Sequence, residues 1–520
     1  MYNLAINFKE YKKDKNNIHD NVFYMTISKR NKIILLLLAG ILNGIAYNYF
    51  IFWLSWFSLI PFFLSINNEK PKTSFLYGFS TGIIVSIFLA TWIIGTTQRF
   101  TGSGIEIGIV ILVLSILYFS FWWGFFAYLF NKFTNTKSKA SYHLQVLFGA
   151  ALWTLLEFIR GSISWYHYII AHTQTPAPIM IQISSITGVW GISFFIVLVN
   201  LYLYYAIITK EKKYLYTSLA LFGSYILFNA ILMNLDSDKG KAVKFALLQE
   251  NIDAETRWMP ETGDSLANIY AQLAEEAAKA NPDFIIWSED AIPWAFSTDD
   301  DLLKMVLSKT VKTGATHLLG VMYPIGNNKY TNSVLLVEAN GRITGRYEKQ
   351  TLIPIAEKPL LDLKWLKLEF FRSGLNENLE MGNKRPLLQS KGITFGTMIC
   401  NESLIPINFD NSNVNILLSL SNDAWFEGTM LPYHHFYISV LRAVENNKYF
   451  VINSNRGFSG IINDKGIITA KKYSKKAEII TGFAYPIRGN TFYSKFGNVP
   501  VITLFFLIII IFVKKIGKNK

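Results

Sequence analysis

The polarity pattern divides the chain into two kinds of segment. From residue 33 to 235 apolar residues run almost unbroken, at about 33–48, 49–66, 74–96, 104–131, 142–159, 179–207 and 214–235, and an eighth run covers 499–513. Runs of this length predict transmembrane helices, for which about 20 apolar residues suffice. The last run is short and can borrow Phe496 and Gly497. Between 241 and 498 the pattern changes. Val243–Gln249, Asp283–Ser288, His317–Val321, Asn332–Glu338, Ile393–Ile399, Val414–Leu420 and Tyr449–Asn453 are apolar or β-branched runs of strand length. Thr262–Ala280 and Pro432–Asn446 repeat their apolar positions with a helical period. Strands interleaved with helices predict an α/β domain of about 250 residues on a membrane α-helical bundle of about eight transmembrane helices.

Composition agrees with that division: 51% of the chain is apolar and 15% aromatic, against 17% charged, which excludes a disordered, fibrous or purely soluble protein. The net charge of +14 would suit a nucleic-acid partner if it sat on the polar domain. It does not: residues 241–498 hold 28 basic and 27 acidic side chains, and the rest of the chain holds 22 and 9. The surplus lies in the tails and short loops of the apolar segments, where basic residues orient helices toward the cytoplasm. With a cytoplasmic N-terminus, that side receives nineteen Lys and Arg, and the opposite short loops receive only Arg99 and Arg160. Seven crossings then put the polar domain outside the cytoplasmic membrane. The expected division is a basic cytoplasmic tail at 1–32, read as a tail rather than a cleaved signal, helices 1–7 at 33–240, an extracytoplasmic catalytic domain at 241–490, and helix 8 with a cytoplasmic C-terminus at 491–520.

Candidate chemistry is sparse. No Gly-rich phosphate loop precedes a helix, so nucleotide binding has no support. The seven histidines are scattered, His434 and His435 are adjacent, and there is one cysteine, a poor basis for a metal site. Within the apolar half, Glu157 and Arg160 stand three apart on one helix face, where they can neutralise each other as a packing pair or serve a substrate.

The lone Cys400 ends the buried-strand pattern Thr394–Ile399 and is followed by the polar Asn401, Glu402 and Ser403. It is either buried filler or a nucleophile kept free for chemistry, and the end of a strand is where a nucleophile can be presented to a cleft. A thiol nucleophile needs a base and a donor for the oxyanion. Glu289, just past the strand ending Trp287-Ser288, and Lys349 and Glu357, in the stretch from Gly345 to Glu357, could supply both. An ammonium lowers a thiol's pKa and a carboxylate accepts its proton.

Glu289, Lys349 and Cys400, in that order and with these flanks, resemble the Glu-Lys-Cys triad of the nitrilase superfamily. With seven apolar segments before and one after, residues 33–513 are similar to the apolipoprotein N-acyltransferase family. Also matching are Leu248-Gln249-Glu250-Asn251-Ile252, Ser421-Asn422-Asp423-Ala424-Trp425-Phe426, Tyr433-His434-His435-Phe436, Arg442-Ala443-Val444-Glu445, Asn453-Ser454-Asn455-Arg456-Gly457 and Leu156 through Gly161. The resemblance implies a nitrilase-like αββα sandwich with Cys400 as nucleophile, Glu289 as general base and Lys349 as oxyanion stabiliser. It makes Glu357 and Glu402 supporting acids, and Trp258, Trp425 and Asn401 supporting or substrate-binding positions. Two departures are Asn401, where the family usually has an aromatic residue, and Ile355-Ala356-Glu357 in place of Phe-Gly-Glu.

The implied reaction is ping-pong acyl transfer in a bacterial inner membrane, with the catalytic domain periplasmic and no cofactor, metal or nucleic acid. A membrane phospholipid acylates the cysteine, and the α-amine of a diacylglyceryl-modified N-terminal cysteine of an apolipoprotein takes the chain. Residues 359–372 mix apolar, aromatic and basic side chains as a lid at the bilayer surface would, or as an ordinary packed helix would. Two alternatives remain open at this point: a membrane-tethered amidase or nitrile hydrolase, for which one anchor would suffice, and a scaffold or transporter carrying an inactive domain.

Overall fold

The computed structural model describes residues 7–10, 23–134, 141–163, 168–257, 260–354, 356–358, 378–407, 409 and 413–517. The chain forms two compact units, one of residues 1–91, 111–234 and 498–520 and the other of residues 92–110 and 235–497.

The first unit is helical. Seven helices in the described residues are long and apolar enough to cross a membrane: Lys29–Asn48, Pro71–Ala90, Ile105–Thr134, Tyr142–Ile163, Val189–Thr209, Lys212–Met233 and Val499–Ile516. The predicted segment 49–66 is different. It breaks into a 3-10 turn, Leu54–Trp56, and a helix, Ile60–Ile66, with Pro61 at its start. Thirteen residues rise about 20 Å, short of the roughly 30 Å hydrocarbon thickness. Side chains of neighbouring helices hold its open backbone: Asn43 Nδ2 donates to the Ser58 carbonyl, Asn200 Nδ2 to that of Ser55, and the Leu59 N–H donates to Asn200 Oδ1. Close packing elsewhere uses small residues. A Cβ on Gly40 would fall 2.6 Å from Ile84, and one on Gly44 2.4 Å from Phe88, so the helices Lys29–Asn48 and Pro71–Ala90 meet through a G-x-x-x-G face. The predicted segment 74–96 also divides. Its helix ends at Ala90, and a separate helix, Trp92–Thr101, carrying Thr96, Thr97, Gln98 and Arg99, belongs to the other unit.

The second unit is a two-sheet sandwich. One sheet contains β1 (Val243–Gln249), β2 (Phe284–Ile286), β3 (Ile292–Ala295), β4 (Thr316–Gly326), β5 (Lys329–Val337) and β6 (Ile343–Glu348). The other contains β7 (Leu388–Ser390), β8 (Ile393–Ile399), β9 (Ile416–Asn422), β10 (Tyr449–Asn455), β11 (Phe458–Ile462) and β12 (Ile468–Tyr473), and β13 (Glu478–Ala484) returns to pair with β1. Strands β1, β2 and β4 are parallel neighbours, as are β8, β9 and β10.

Alternation along β1 explains the layering. Phe245 and Leu247 enter the core between the sheets with Phe395, Leu418 and Val451. Ala246 and Leu248 face the other way, onto Leu266, Tyr270 and Leu273 of the helix Gly263–Ala280 and Leu302 and Val306 of the helix Asp301–Thr310. The helix Leu431–Asn446 covers the second sheet, and the order helix, sheet, sheet, helix is the expected αββα sandwich. β1 and β8 have the bounds that the polarity pattern predicts. β11, β12 and β13 lack a distinct apolar run and are legible only in the fold.

Candidate active site

Parallel strands bring their C-terminal ends to one edge of the sandwich, and there the candidate residues meet. Cys400 follows β8 directly, with a backbone φ of +51°, in a 3-10 turn over Cys400–Leu404. A non-glycine residue in this region costs about 1–3 kcal/mol, so surrounding contacts must hold it. Glu402 is one such contact. Its fully buried carboxylate accepts from the Ile399 N–H (2.8 Å) and the Tyr347 hydroxyl (2.8 Å) on one oxygen, and from the N–H groups of Gln350 (2.8 Å) and Thr351 (3.2 Å) on the other. It therefore joins the cysteine turn to the segment that carries Lys349.

Lys349 and Glu289, 60 residues apart, form a buried ion pair at 3.1 Å, and Lys349 Nζ also reaches Glu357 at 2.7 Å. Glu289 is fixed on both oxygens: Oε1 also accepts from Asn332 Nδ2 (2.7 Å), and Oε2 from the Asn422 N–H (2.9 Å). Its backbone has room only because residue 320 is glycine, where a Cβ would fall 2.2 Å from the Ser288 carbonyl. Glu357 closes a turn, its Oε2 accepting from the Ile353 N–H at 2.8 Å.

Charge balance follows from this geometry. Burial works to discharge Lys349 and is the largest single influence on it, but Glu289 and Glu357 together outweigh burial and hold the ammonium well above the ordinary lysine range. Burial, then the negative charge of Glu289, pushes the Cys400 thiol well above its usual value, against the pull of Lys349. Burial also raises Glu357, opposed by Lys349. The resting site is thus a neutral thiol beside an ammonium shared by two carboxylates.

Cys400, Glu289, Lys349 and Glu357 line one cleft with Asp290, Ile353, Asn422, Phe100, Trp425 and Phe426. Its aromatic wall comes from two distant stretches of sequence. Phe100 stacks on Trp425 with centroids 4.6 Å apart, Trp92 meets Phe426 edge-on at 5.9 Å, and Arg99 donates to the Trp425 carbonyl at 3.0 Å.

The sandwich is stapled just behind the cleft. Asn453 Nδ2 donates across to the carbonyls of Leu248 (2.9 Å) and Ile286 (3.1 Å), and Gln249 Nε2 donates back to that of Gly457 (2.7 Å). The Leu248-Gln249 and Asn453–Gly457 motifs thus act on sheet alignment. Asn401 does not line the cleft; its Nδ2 donates to the Thr351 carbonyl at 3.2 Å. Trp258 and the lid segment 359–372 lie outside the described residues.

Reading the residues alone assigns no role to Asn332, which bonds Glu289, to Phe100, which lines the cleft, or to His435, whose ring meets the Cys400 carbonyl. His435 sat in a noted motif and Phe100 at the edge of an apolar run, but Asn332 carries no signal short of the fold. Glu157 and Arg160, both buried, are not partners in an ion pair. Glu157 Oε1 accepts from the Ile170 N–H at 2.9 Å, and Arg160 donates to the Tyr168 carbonyl. Among the described residues no group of three or more His, Cys, Asp and Glu side chains could hold a metal ion.

Residues 246–482, which include Glu289, Lys349 and Cys400, match the Carbon-nitrogen hydrolase family model. Residues 39–202 match the model of the Apolipoprotein N-acyltransferase N-terminal domain. Carrying both parts in this order, the chain belongs to the apolipoprotein N-acyltransferase family. Relatives named apolipoprotein N-acyltransferase include that of Geobacter metallireducens, 27% identical over 86% of this chain and 88% of that one, and that of Haemophilus influenzae, 25% identical over 94% and 97%. A crystal structure of Saccharomyces cerevisiae Nit3, a member of branch 10 of the nitrilase superfamily, aligns with a TM-score of 0.36 at 17% identity, covering 49% of this chain and 93% of that one.

Proposed function

We propose that this enzyme transfers an acyl chain from a membrane phospholipid, through a thioester on Cys400, to the α-amine of the N-terminal diacylglyceryl-cysteine of a lipoprotein. The observation that carries this reading is the placement of a neutral, buried thiol on a left-handed turn in the same cleft as the Glu289–Lys349–Glu357 network.

Glu289 takes the proton of Cys400 as sulfur attacks the ester carbonyl, and the carbonyl π pair moves to oxygen. Protonation removes the charge with which Glu289 held Lys349, so an ammonium N–H is released toward the new oxyanion just as that charge develops. Glu357 stays bonded to Lys349 and keeps it in place. Collapse breaks the ester C–O bond, Glu289 returns its proton to the leaving lysophospholipid oxygen, and the thioester remains. The acceptor amine then attacks the thioester, giving up a proton to Glu289. The C–S bond breaks, and that proton returns to sulfur.

Nineteen basic residues in the tails and loops of one side against two in the loops of the other support a periplasmic catalytic domain in a multi-pass inner-membrane protein. This placement counts the short Leu54–Ile66 segment as a crossing. The catalytic domain is taken as residues 241–490, between helices at 33–240 and 491–520.

The test uses purified protein and phospholipid with a labelled acyl chain. Hydroxylamine-sensitive label is expected on the wild type and not on Cys400→Ala. Absence of label from folded wild-type protein overturns the reading.

A further inference from the structure

His435 is buried on the helix Leu431–Asn446, and its two ring nitrogens face two kinds of oxygen. Nδ1 lies 2.8 Å from Asp423 Oδ1, and Nε2 lies 2.9 Å from the carbonyl oxygen of Cys400 and 3.0 Å from Ser403 Oγ. A carbonyl oxygen only accepts, so Nε2 carries a hydrogen. Ser403 Oγ spends its own proton on the same carbonyl, at 3.0 Å, and so can only accept from the ring. On the other side, a proton shared between an imidazole and a carboxylate belongs to the imidazole, whose ordinary pKa is higher by about 2.6. Both ring nitrogens are therefore donors.

Asp423 is locked to serve this purpose. Its Oδ2 accepts from Ser454 Oγ at 2.9 Å, and a Cβ at residue 457 would fall 2.1 Å from that oxygen, so Gly457 keeps the space open. The charged groups acting on His435 from neighbouring elements are Asp423 after β9 and Glu289 after β2, the latter bonded to Lys349, which also holds Glu357. Burial pulls the ring toward neutrality, but Asp423 outweighs it, with help from the Cys400 carbonyl and Glu289, and the net direction is upward. Nε2 meets the cysteine backbone rather than its sulfur, so this histidine does not take the thiol proton.

We propose that His435 is a positioning residue held as an imidazolium, whose Nε2–H clamps the Cys400 carbonyl and fixes the left-handed turn that presents the thiol. This rests on the reading of Cys400 as the nucleophile. A charge-assisted hydrogen bond is about twice as strong as a neutral one, and it acts on the peptide whose conformation is unfavourable.

Two measurements on the full-length protein in detergent test the proposal, the first needing no substrate. Cys400 is the only cysteine, so iodoacetamide reads that thiol alone. His435→Gln is expected to slow alkylation about 10–100-fold, and to slow acyl-enzyme formation from labelled phospholipid by a similar factor, with little change in KM. Wild-type rates in both assays overturn the proposal. Slowed alkylation in a protein that makes no acyl-enzyme would sink the acyl-transfer reading and leave the clamp standing. The second measurement is a ring ¹⁵N titration of protein without a histidine tag. One ring is expected to keep both protons above the pH at which an ordinary histidine loses one, and Asp423→Asn should abolish that behaviour. The absence of such a ring, or its persistence in Asp423→Asn, overturns the proposal even if His435→Gln fails to fold.

Discussion

Two of the places where the protein buries charge satisfy it in opposite ways. In the helical unit Glu157 and Arg160, one turn apart, each bond a backbone group of the segment Tyr168–Ile170. In the sandwich Glu289, Lys349 and Glu357, scattered in sequence, bond one another around an open cleft. A charge satisfied by backbone amides and carbonyls holds a chain segment in place and has one useful state. Charges satisfied by one another can be redistributed when one of them takes a proton, which catalysis requires. Proximity in sequence suggested direct contact between Glu157 and Arg160, but each bonds a backbone group instead, because helix geometry says which side chains can meet and not which backbone groups compete for them.

Substitutions at the two places should separate these roles, and the largest effect is expected at the base. Glu289→Gln removes the proton acceptor and should lower turnover by about 10²–10⁴-fold. The same change removes a negative charge that raises the Cys400 thiol, so the alkylation midpoint should move to lower pH while catalysis is lost. A midpoint that rises or stays fixed would count against Glu289 as the neighbouring charge. Lys349→Met leaves two buried carboxylates facing each other. Acylation should fall by about 10²–10³-fold, and the melting profile should show a loss of about 3–5 kcal/mol. Loss of activity without loss of stability would mean that the pair contributes little to the fold.

At the cleft wall the expected effect is smaller. Trp425→Ala gives up the stack on Phe100, worth about 0.5–1.5 kcal/mol, and should raise the KM for phospholipid about 2–10-fold with kcat little changed. The smallest change belongs to the helical unit. In Glu157→Gln the amide oxygen can still accept from the Ile170 N–H, so stability should move by no more than about 1 kcal/mol, with acyl transfer unchanged. Full loss of label in a folded Glu157→Gln protein would end the distinction drawn between the two clusters.

Much of this was legible without coordinates, for physical reasons that differ by element. Apolar runs near membrane length and strand-length runs such as Ile393–Ile399 announce themselves, because burial dictates their composition. Cys400 and Glu289 stand where such runs end. What could not be read depends on register and on contacts between distant segments. Phe100 joins the cleft only because the apolar stretch 74–96 breaks at Ala90, and Asn332 reaches Glu289 only through the pairing of β4 with β5. The histidines gave no convincing base, and the fold shows why: His435 Nε2 meets a carbonyl oxygen. The segment 49–66 matched a span by hydropathy, yet Pro61 and the buried serines and asparagines around it break the helix.

The parallel alignment of β8, β9 and β10 sets how this domain can vary in length. Ile399 lies opposite Leu420, and Asn422 opposite Asn455, so the nucleophile, the amide that holds Glu289 and the residue that braces it are in step across three strands. Removing one residue from β8 would draw Cys400 back by about 3.3 Å and turn its side chain to the other face of the sheet. Insertions and deletions should therefore be tolerated in the connections entering these strands and rejected within them, which a scan of single-residue deletions across 388–422 would map directly.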